Sequence, residues 1–126
     1  MLVLDSSGVT RLAERSTRAA ALIAVFRREG VWPPVVPSVV LVECLSGRPD
    51  RDARTNRFLK TCEVEAVLPE PRARRAARLR TLARRGSAVD AVVVASAEPG
   101  GTVYGSDVED LQALASHADN VNVERS

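Results

Sequence analysis

Short apolar runs alternate along the chain with longer segments in which apolar residues recur at helical spacing. The first run, Met1 to Leu4, ends in Asp5 and has the pattern of a parallel strand that is buried on both faces. A very short second strand is predicted at the end of the proline-rich segment Val31 to Pro37. Further strands are predicted at Val64–Leu68, at Thr102–Gly105 and, as an edge strand, at Val121–Val123.

Helices are predicted between these strands, with boundaries set by proline, glycine and capping residues. Ser6, Ser7 and Gly8 are interpreted as a turn with capping residues before the first helix. The predicted helices are about Ser16–Glu29, Val39–Ser46, Arg51–Lys60, an arginine-rich segment from Pro69 to Gly86, a segment from Ser87 to Ala97, and a segment from Ser106 to about His117. Strands that alternate with helices in this way predict a single α/β domain, residues 1–126, built around a parallel sheet.

The composition is that of an ordinary globular chain, with 45% apolar and 27% charged residues. Aromatic residues make up only 3%, which argues against a stacking platform for single-stranded nucleic acid. No apolar run approaches the roughly 18 residues of a membrane span, and no signal-peptide pattern is present. The chain is therefore expected to be soluble and cytoplasmic. Cys44 and Cys62 are too few and too far apart for a zinc or redox site, and they are expected to be reduced thiols.

Four carboxylates stand where an α/β fold places functional groups. Asp5 directly follows the first strand and Asp107 follows the fourth, so both are expected at the carboxyl edge of the sheet, where ligands bind. Glu43 lies in a helix with apolar neighbours on both sides, and a buried carboxylate is nearly always paired or bound to a metal. Asp90 lies in the first turn of the helix that begins after Ser87.

Each of these carboxylates also has a purely structural interpretation, and that of Asp107 is the capped start of the last helix. Asp5 could be a turn or cap residue, and Asp90 could face the dipole of its helix. Glu43 could lie with Ser46 on a narrow stripe that faces solvent. The sequence leaves these interpretations open.

The start of the last helix holds more carboxylates than one site requires. Ser106 and Glu109 form an S-x-x-E capping box, and Asp107, Glu109 and Asp110 all fall in the same first turn. Not all three acids can be functional, so the choice between them stays open.

Several carboxylates at one edge of a sheet repel each other unless a cation is present. Hard oxygen ligands of this kind suit Mg²⁺ or Mn²⁺, which also bind phosphate oxygens. A metal held in this way can activate water and stabilise charge on a phosphodiester, so metal-assisted phosphodiester hydrolysis is the predicted reaction. Other chemistries fit less well, because His117 is the only histidine and neither a GxxxxGK[ST] loop nor a GxGxxG turn is present.

Four motifs that span nearly the whole chain, in order, resemble those of the PIN-domain ribonucleases, and the short length resembles the VapC-type toxins among them. The motifs are LVLDSSG (Leu2–Gly8), VLVECLSG (Val40–Gly47), GSAVDAVVVASA (Gly86–Ala97) and VYGSDVEDLQAL (Val103–Leu114). The resemblance implies a three-layer α/β/α sandwich, with a central parallel sheet of four to five strands, that brings the four acids into one pocket.

The resemblance also implies a role for each acid of that pocket. Asp5, Asp90 and Asp107 would bind the metal, directly or through water, and with Glu43 they would form the catalytic set. Glu43 would position a water molecule or a second ion. The residues that match supporting positions in the family are Ser6, Ser106 and Asp110; Ser106 stands where the family usually has Thr, a change that keeps the hydroxyl group.

Similar toxins are endoribonucleases that cleave structured RNA, often tRNA or rRNA, and leave a 3′-hydroxyl and a 5′-phosphate. They typically form homodimers and are inhibited by a cognate antitoxin, here expected to be of the VapB type, which inserts a segment into the acidic pocket. One alternative is a catalytically inactive PIN-like module that binds RNA or a protein. Another is a nuclease that acts on DNA or flap structures.

The arginine-rich helix is a further candidate surface. Seven arginines fall between Arg72 and Arg85, with no acidic residue among them. They could hold RNA phosphates, dock an acidic antitoxin segment, or form a solvated helix face whose arginine stems cover apolar surface. The residues singled out for RNA binding are Arg72, Arg74, Arg75 and Arg78.

Overall fold

The computed structural model describes residues 1–126, and its five strands form one fully parallel sheet. The strands are β1 (Leu2–Leu4), β2 (Val35–Pro37), β3 (Glu63–Glu65), β4 (Thr102–Gly105) and β5 (Asn122–Arg125). Their order across the sheet is β3-β2-β1-β4-β5, and each neighbouring pair is parallel. The predicted α/β fold with a parallel sheet of four to five strands is confirmed.

Seven helices cover the sheet in two groups. They are α1 (Ser6–Ala13), α2 (Thr17–Arg28), α3 (Leu41–Cys44), α4 (Pro49–Leu59), α5 (Glu70–Ala83), α6 (Ala88–Ser96) and α7 (Val108–Ala115). α1 packs against α2, α3 and α4, whereas α6 packs against α5 and α7, and both α1 and α6 contact β1. The result is the expected α/β/α sandwich. None of the helices is both long and apolar enough to span a membrane.

The core lies around the central strand and is almost entirely aliphatic. Leu2, Val3 and Leu4 of β1 are at most 1% exposed, because helices cover both faces of this strand. Every residue from Ala91 to Ala97 is buried as well, which makes α6 the most deeply buried helix. Because β1 is packed tightly on both faces, the position of its carboxyl end is fixed, and the candidate site lies at that end.

The segment after β1 is a helix, and the prediction of a turn there is wrong. Ser6 and Ser7 begin α1, and Asp5 is its N-cap, accepting a hydrogen bond from the Gly8 amide at 2.8 Å. Gly8 is required within the helix because a methyl group at this position would overlap the carbonyl oxygen of Tyr104 on β4. The small residues that resemble a turn therefore allow α1 to approach the sheet closely.

The predicted helix Val39–Ser46 is shorter than expected. Ser38–Val40 form a 3₁₀ turn, and α3 extends only from Leu41 to Cys44. A single helical turn at the outside of the helical layer cannot bury all its faces, so Val42 is 79% exposed and Glu43 is exposed beside it. The prediction that Glu43 is a buried carboxylate is therefore wrong.

The connection from α3 to α4 is held by one buried carboxylate, Asp52. It accepts hydrogen bonds from the Ser46 amide at 2.9 Å, the Ser46 hydroxyl at 2.9 Å and the Gly47 amide at 2.8 Å. These donors, the Ser46 amide above all, lower the pKa of Asp52 below its ordinary value. The ionised form is therefore favoured in the folded state.

We expect Asp52→Asn to lower the urea midpoint of unfolding at pH 7 and to reduce its dependence on pH. Because the pKa is lowered on folding, the stabilisation is present above the ordinary aspartate pKa and is lost as the pH falls through the folded value. The midpoints of the two proteins should therefore converge between pH 7 and pH 3. Asp50→Asn, an exposed change on the same helix with no hydrogen bond to lose, is the control. A gap that stays constant with pH would contradict this account.

Candidate active site

The candidate site lies where the strand order reverses. β2 and β3 extend from one side of β1, and β4 and β5 extend from the other, so the switch point falls between β1 and β4. Ligands of open α/β sheets bind at such a point, beyond the carboxyl ends of the strands. Asp5 directly follows β1, and Ser106 and Asp107 directly follow β4. The expectation that these residues share one edge is confirmed.

Asp5 is buried and rigidly held. It is 5% exposed, and its Oδ1 accepts hydrogen bonds from the Ser7 hydroxyl at 2.7 Å and the Gly8 amide at 2.8 Å. Its Oδ2 accepts no hydrogen bond and lies against Gly105 at the end of β4. Asp5 therefore caps α1 with one oxygen and leaves the other without a hydrogen-bond partner, so its structural and functional interpretations are compatible.

Ser7 connects the two central strands of the site. Its hydroxyl donates to Asp5 and accepts a hydrogen bond from the Ser106 amide at 2.7 Å, and it lies 3.2 Å from the Ser126 hydroxyl. The sequence singled out Ser6 and Ser106 as the supporting hydroxyl groups, but in the structure Ser7 makes these contacts. Its place two residues after Asp5, in the first turn of an Asp-capped helix, is the signal that the sequence offered.

Three aspartates come together beside this pair of strands. Asp90, Asp107 and Asp110 each offer a carboxylate oxygen, and these oxygens lie within 4.8 Å of one another. Asp90 is oriented by a complete capping box with Ser87, as its position predicted. We call Asp90, Asp107 and Asp110 the aspartate trio. Asp110, expected only as a supporting residue, is thus part of the closest acidic group.

Asp110 lies close to Asp90 and Asp107 because α7 begins one residue later than predicted. Its N-cap is Asp107, whose side chain makes no capping hydrogen bond, and the amide of Ser106 is bound by Ser7. The predicted capping box of Ser106 with Glu109 is therefore wrong. With Asp107 at the N-cap, Asp110 occupies the third helical position, close to Asp107.

Electrostatic coupling joins Asp5 to the trio. Burial raises the pKa of Asp90, and the charges of Asp5 and Asp110 raise it further. Partial desolvation raises the pKa of Asp107, and the adjacent Asp110 carboxylate and the charge of Asp90 add to the effect. The four aspartates are thus close enough to repel each other, a repulsion that a bound cation would relieve.

One arginine partly offsets this negative charge from the edge of the site. Arg85 Nε donates to Asp110 Oδ1 at 2.5 Å, and its Nη2 lies 3.4 Å from Glu109 Oε2. Asp90 and Asp107 have no such partner among the basic residues. The carboxylate oxygens of the trio, their spacing and the raised pKa values of Asp90 and Asp107 therefore fit a divalent cation that prefers hard oxygen ligands.

Glu43 lies apart from the trio, in the wall of an open cleft of about 340 Å³. It is exposed, and it makes no hydrogen bond or ion pair. The cleft is entirely polar and is lined by Ser6, Ser7, Thr10, Arg11, Glu14, Glu43, Ser106 and Ser126. Glu43 can therefore reach a ligand in this cleft, although the burial that first drew attention to it is absent.

Most arginines of α5 form ion pairs with carboxylates of the same chain. Arg72 forms two hydrogen bonds with Glu65, both at 3.0 Å. Arg75 binds Glu98 at 2.9 and 2.8 Å, and Arg74 binds Glu70 at 2.9 Å. Arg78 alone among the residues predicted to bind RNA has no such partner. RNA binding by this helix remains a prediction, but its charges are largely neutralised within the fold.

Comparison with known proteins supports the fold. No protein-family model matches the sequence, and no curated protein does. Among solved structures the chain is similar to one described as FitAB bound to an IR36 DNA fragment, with a TM-score of 0.65 and 19% sequence identity. The match covers 99% of this chain and 94% of the other. Together with the strand order, this similarity confirms a PIN-like α/β fold.

Proposed function

We propose that the chain is a metal-dependent endoribonuclease of the VapC-like toxin type. One observation carries this proposal. The aspartate trio, coupled to Asp5, lies at the switch point between β1 and β4, beside an open polar cleft. Carboxylates without matching counter-charges at this place are suited to a Mg²⁺ or Mn²⁺ ion that also binds a phosphodiester.

The four aspartates divide the work of the site. Asp90, Asp107 and Asp110 would hold the ion, and Asp5 would face it through the oxygen that its capping role leaves free. A bound divalent cation lowers the pKa of a water molecule and stabilises negative charge on phosphate oxygens. Because Asp5 is fixed by Ser7 and Gly8, and Asp90 by Ser87, two of the carboxylates need little reorganisation before they bind.

The reaction proposed is hydrolysis of the RNA backbone. A water oxygen bonds to phosphorus while the P–O3′ bond breaks, which leaves a 5′-phosphate, and the departing O3′ takes up a proton. Glu43, in the cleft wall near the carboxyl edge, would orient the attacking water. Its exposure suits this task, since a water-orienting group must face the space that the substrate occupies.

The partner assignment rests on the shared fold. The similar solved structure is of FitAB bound to DNA, which supports a second protein that binds this chain and DNA together. We propose that this partner is an antitoxin of the VapB type, that it inhibits the nuclease, and that the active form is a homodimer in the cytoplasm. The substrate would be structured RNA of the tRNA or rRNA class.

The proposal is tested by incubating the purified chain with end-labelled tRNA in Mg²⁺ or Mn²⁺, with and without EDTA. Cleavage that requires the metal and leaves 5′-phosphate ends is expected. A DNA hairpin of matched sequence and a flap substrate, run in parallel, distinguish a ribonuclease from a nuclease that acts on DNA.

Two other results would lead to different conclusions. Preferential cleavage of the DNA substrates would make the chain a deoxyribonuclease. Binding of RNA without cleavage, together with no Mn²⁺ binding in titration calorimetry, would identify a PIN-like binding module. Either result would overturn the ribonuclease assignment.

A further inference from the structure

The arginines that the fold leaves without partners lie on a different surface from the arginine-rich helix. α4 carries Arg51, Arg54 and Arg57, which are exposed and form no hydrogen bond or ion pair with any carboxylate. Their three-residue spacing places them along one side of the helix, where like charges repel each other. Arg15, in the connection between α1 and α2, is exposed and without a partner as well.

These four arginines line one groove between α4 and the end of α1. The groove has a volume of about 600 Å³, and only two of its ten lining residues are apolar. Glu14 and Asp50 also line it, so the four positive charges exceed the two negative ones. We call this surface the α4 groove. It is polar, open and electropositive, unlike the acidic trio.

The α4 groove is continuous with the cleft beside the candidate active site. Thr10 lies in α1, and Glu14 directly follows its last residue. Both residues line the groove and also the cleft that contains Glu43. A chain of phosphates could therefore pass along the surface from the four arginines into the cleft that Ser7 and Ser106 line, close to Asp5 and Asp107 in the sequence and the fold. An acidic site needs such a basic approach, because otherwise it repels a polyanion.

We propose that the α4 groove binds the phosphate backbone of the RNA substrate and guides it into the active-site cleft. This proposal rests on the proposed ribonuclease function and names the surface that holds the substrate. The arginines would contact phosphates and carry little sequence information, so they would contribute affinity and orientation.

An acidic protein segment is the other ligand that this charge would attract. Arg15, Arg54 and Arg57 also line an adjoining hollow in which five of the eleven lining residues are apolar, so the lining by itself would suit a protein segment as well. The continuity with the active-site cleft is what favours the substrate, because a strand held by the arginines can extend into that cleft. An acidic peptide is therefore included in the test as a competitor.

The test compares two double variants that remove the same charge from different surfaces. Arg54→Gln/Arg57→Gln alters the α4 groove, and Arg74→Gln/Arg78→Gln alters α5. Both are made in the Asp5→Asn background and without added metal, so that a labelled RNA hairpin is bound but not cleaved. Its dissociation constant is measured by fluorescence anisotropy at several salt concentrations.

We expect the α4 variant to bind the hairpin at least about fivefold more weakly in 0.1 M salt. The slope of log K against log salt should fall by about 1.4 to 1.8, because each phosphate contact contributes about 0.7 to 0.9. The α5 variant should lose clearly less affinity than the α4 variant, since Arg74 is already paired with Glu70. Equal effects of the two variants, or no effect of the α4 variant, would overturn the proposal. Displacement of the labelled hairpin by polyglutamate but not by unlabelled RNA would overturn it as well.

The same experiment separates this proposal from the proposed function. Binding is measured without catalysis, whereas cleavage is measured on the unaltered Asp5 protein. Cleavage by the wild-type chain together with unchanged binding by the α4 variant would refute the groove alone. Absence of cleavage together with a selective loss of RNA binding would refute the ribonuclease and leave the groove as an RNA-binding surface.

Discussion

Asp5→Asn is expected to lower the rate of RNA cleavage by at least about a hundredfold with little change in stability. The asparagine oxygen can still accept the hydrogen bonds from the Ser7 hydroxyl and the Gly8 amide, and asparagine is a good N-cap. The negative charge of the carboxylate is lost, and an NH2 group takes the place of Oδ2. Even groups that act on a metal through another ligand are worth about ten- to a hundredfold, so a carboxylate that faces the ion should be worth more.

The matched control is Asp119→Asn, which makes the same chemical change at the opposite edge of the sheet. Asp119 is exposed and precedes β5, so it lies where the strands begin. Single-turnover cleavage rates and thermal denaturation of both variants are compared with those of the wild type. Full activity of Asp5→Asn would remove Asp5 from the site, and a similar loss in Asp119→Asn would point to a general effect of charge.

Five strands and most helices could be predicted because their signals are local. β1 and β4 are apolar runs that end at polar residues, Ser87 caps its helix as expected, and the helix predicted from about Ser16 has Ser16 as its N-cap. β1 was predicted, but α1, which follows it, was not. Small residues such as Ser6, Ser7 and Gly8 favour turns when they are considered in isolation. The close approach to Tyr104 that requires this glycine exists only in the folded sheet.

The site was predicted in outline but not in detail. Asp5 and Asp107 were placed at one edge because the carboxyl ends of parallel strands share an edge whatever their order. Glu43 was expected to be buried because its neighbours are apolar, yet a single helical turn at the periphery leaves both Glu43 and Val42 exposed. Composition shows how apolar a segment is, but burial depends on which other elements cover it.

The pairing of the α5 arginines could not be predicted either. Arg75 binds Glu98, and Arg72 binds Glu65, across distances in sequence that no local pattern connects. A run of like charges in the sequence therefore overstates the charge that α5 leaves free for a ligand. The partners of Arg72 and Arg75 come from β3 and from the turn before β4. Glu14 and Asp50 line the α4 groove, but they form no ion pair with its arginines.

Gly105→Ala is expected to disable the site by displacing Asp5. A methyl group at Gly105 would overlap Oδ2 and Cγ of Asp5 and come within 2.8 Å of Oδ1. Asp5 is buried and anchored by two hydrogen bonds, so it cannot move aside without breaking the N-cap of α1. We expect a loss of about 1 to 3 kcal/mol in the free energy of unfolding, typical of overpacking, and cleavage at least as slow as that of Asp5→Asn.

A double-mutant cycle with Asp5→Ala separates this mechanism from a general strain in β4. Removal of the Asp5 carboxylate leaves space for the new methyl group. In the Asp5→Ala background, Gly105→Ala should therefore lower the free energy of unfolding by at least about 1 kcal/mol less than in the wild type, which is an interaction energy within the range found for residues in contact. The free energies of unfolding of the four proteins are obtained from urea titrations. Equal costs in the two backgrounds would show that the methyl group does not act through Asp5. Two results together would support this mechanism: a smaller loss of unfolding free energy in the Asp5→Ala background, and weaker Mn²⁺ binding by the single Gly105→Ala variant. They would mean that glycine is required at the end of β4 because a larger residue would displace the Asp5 carboxylate.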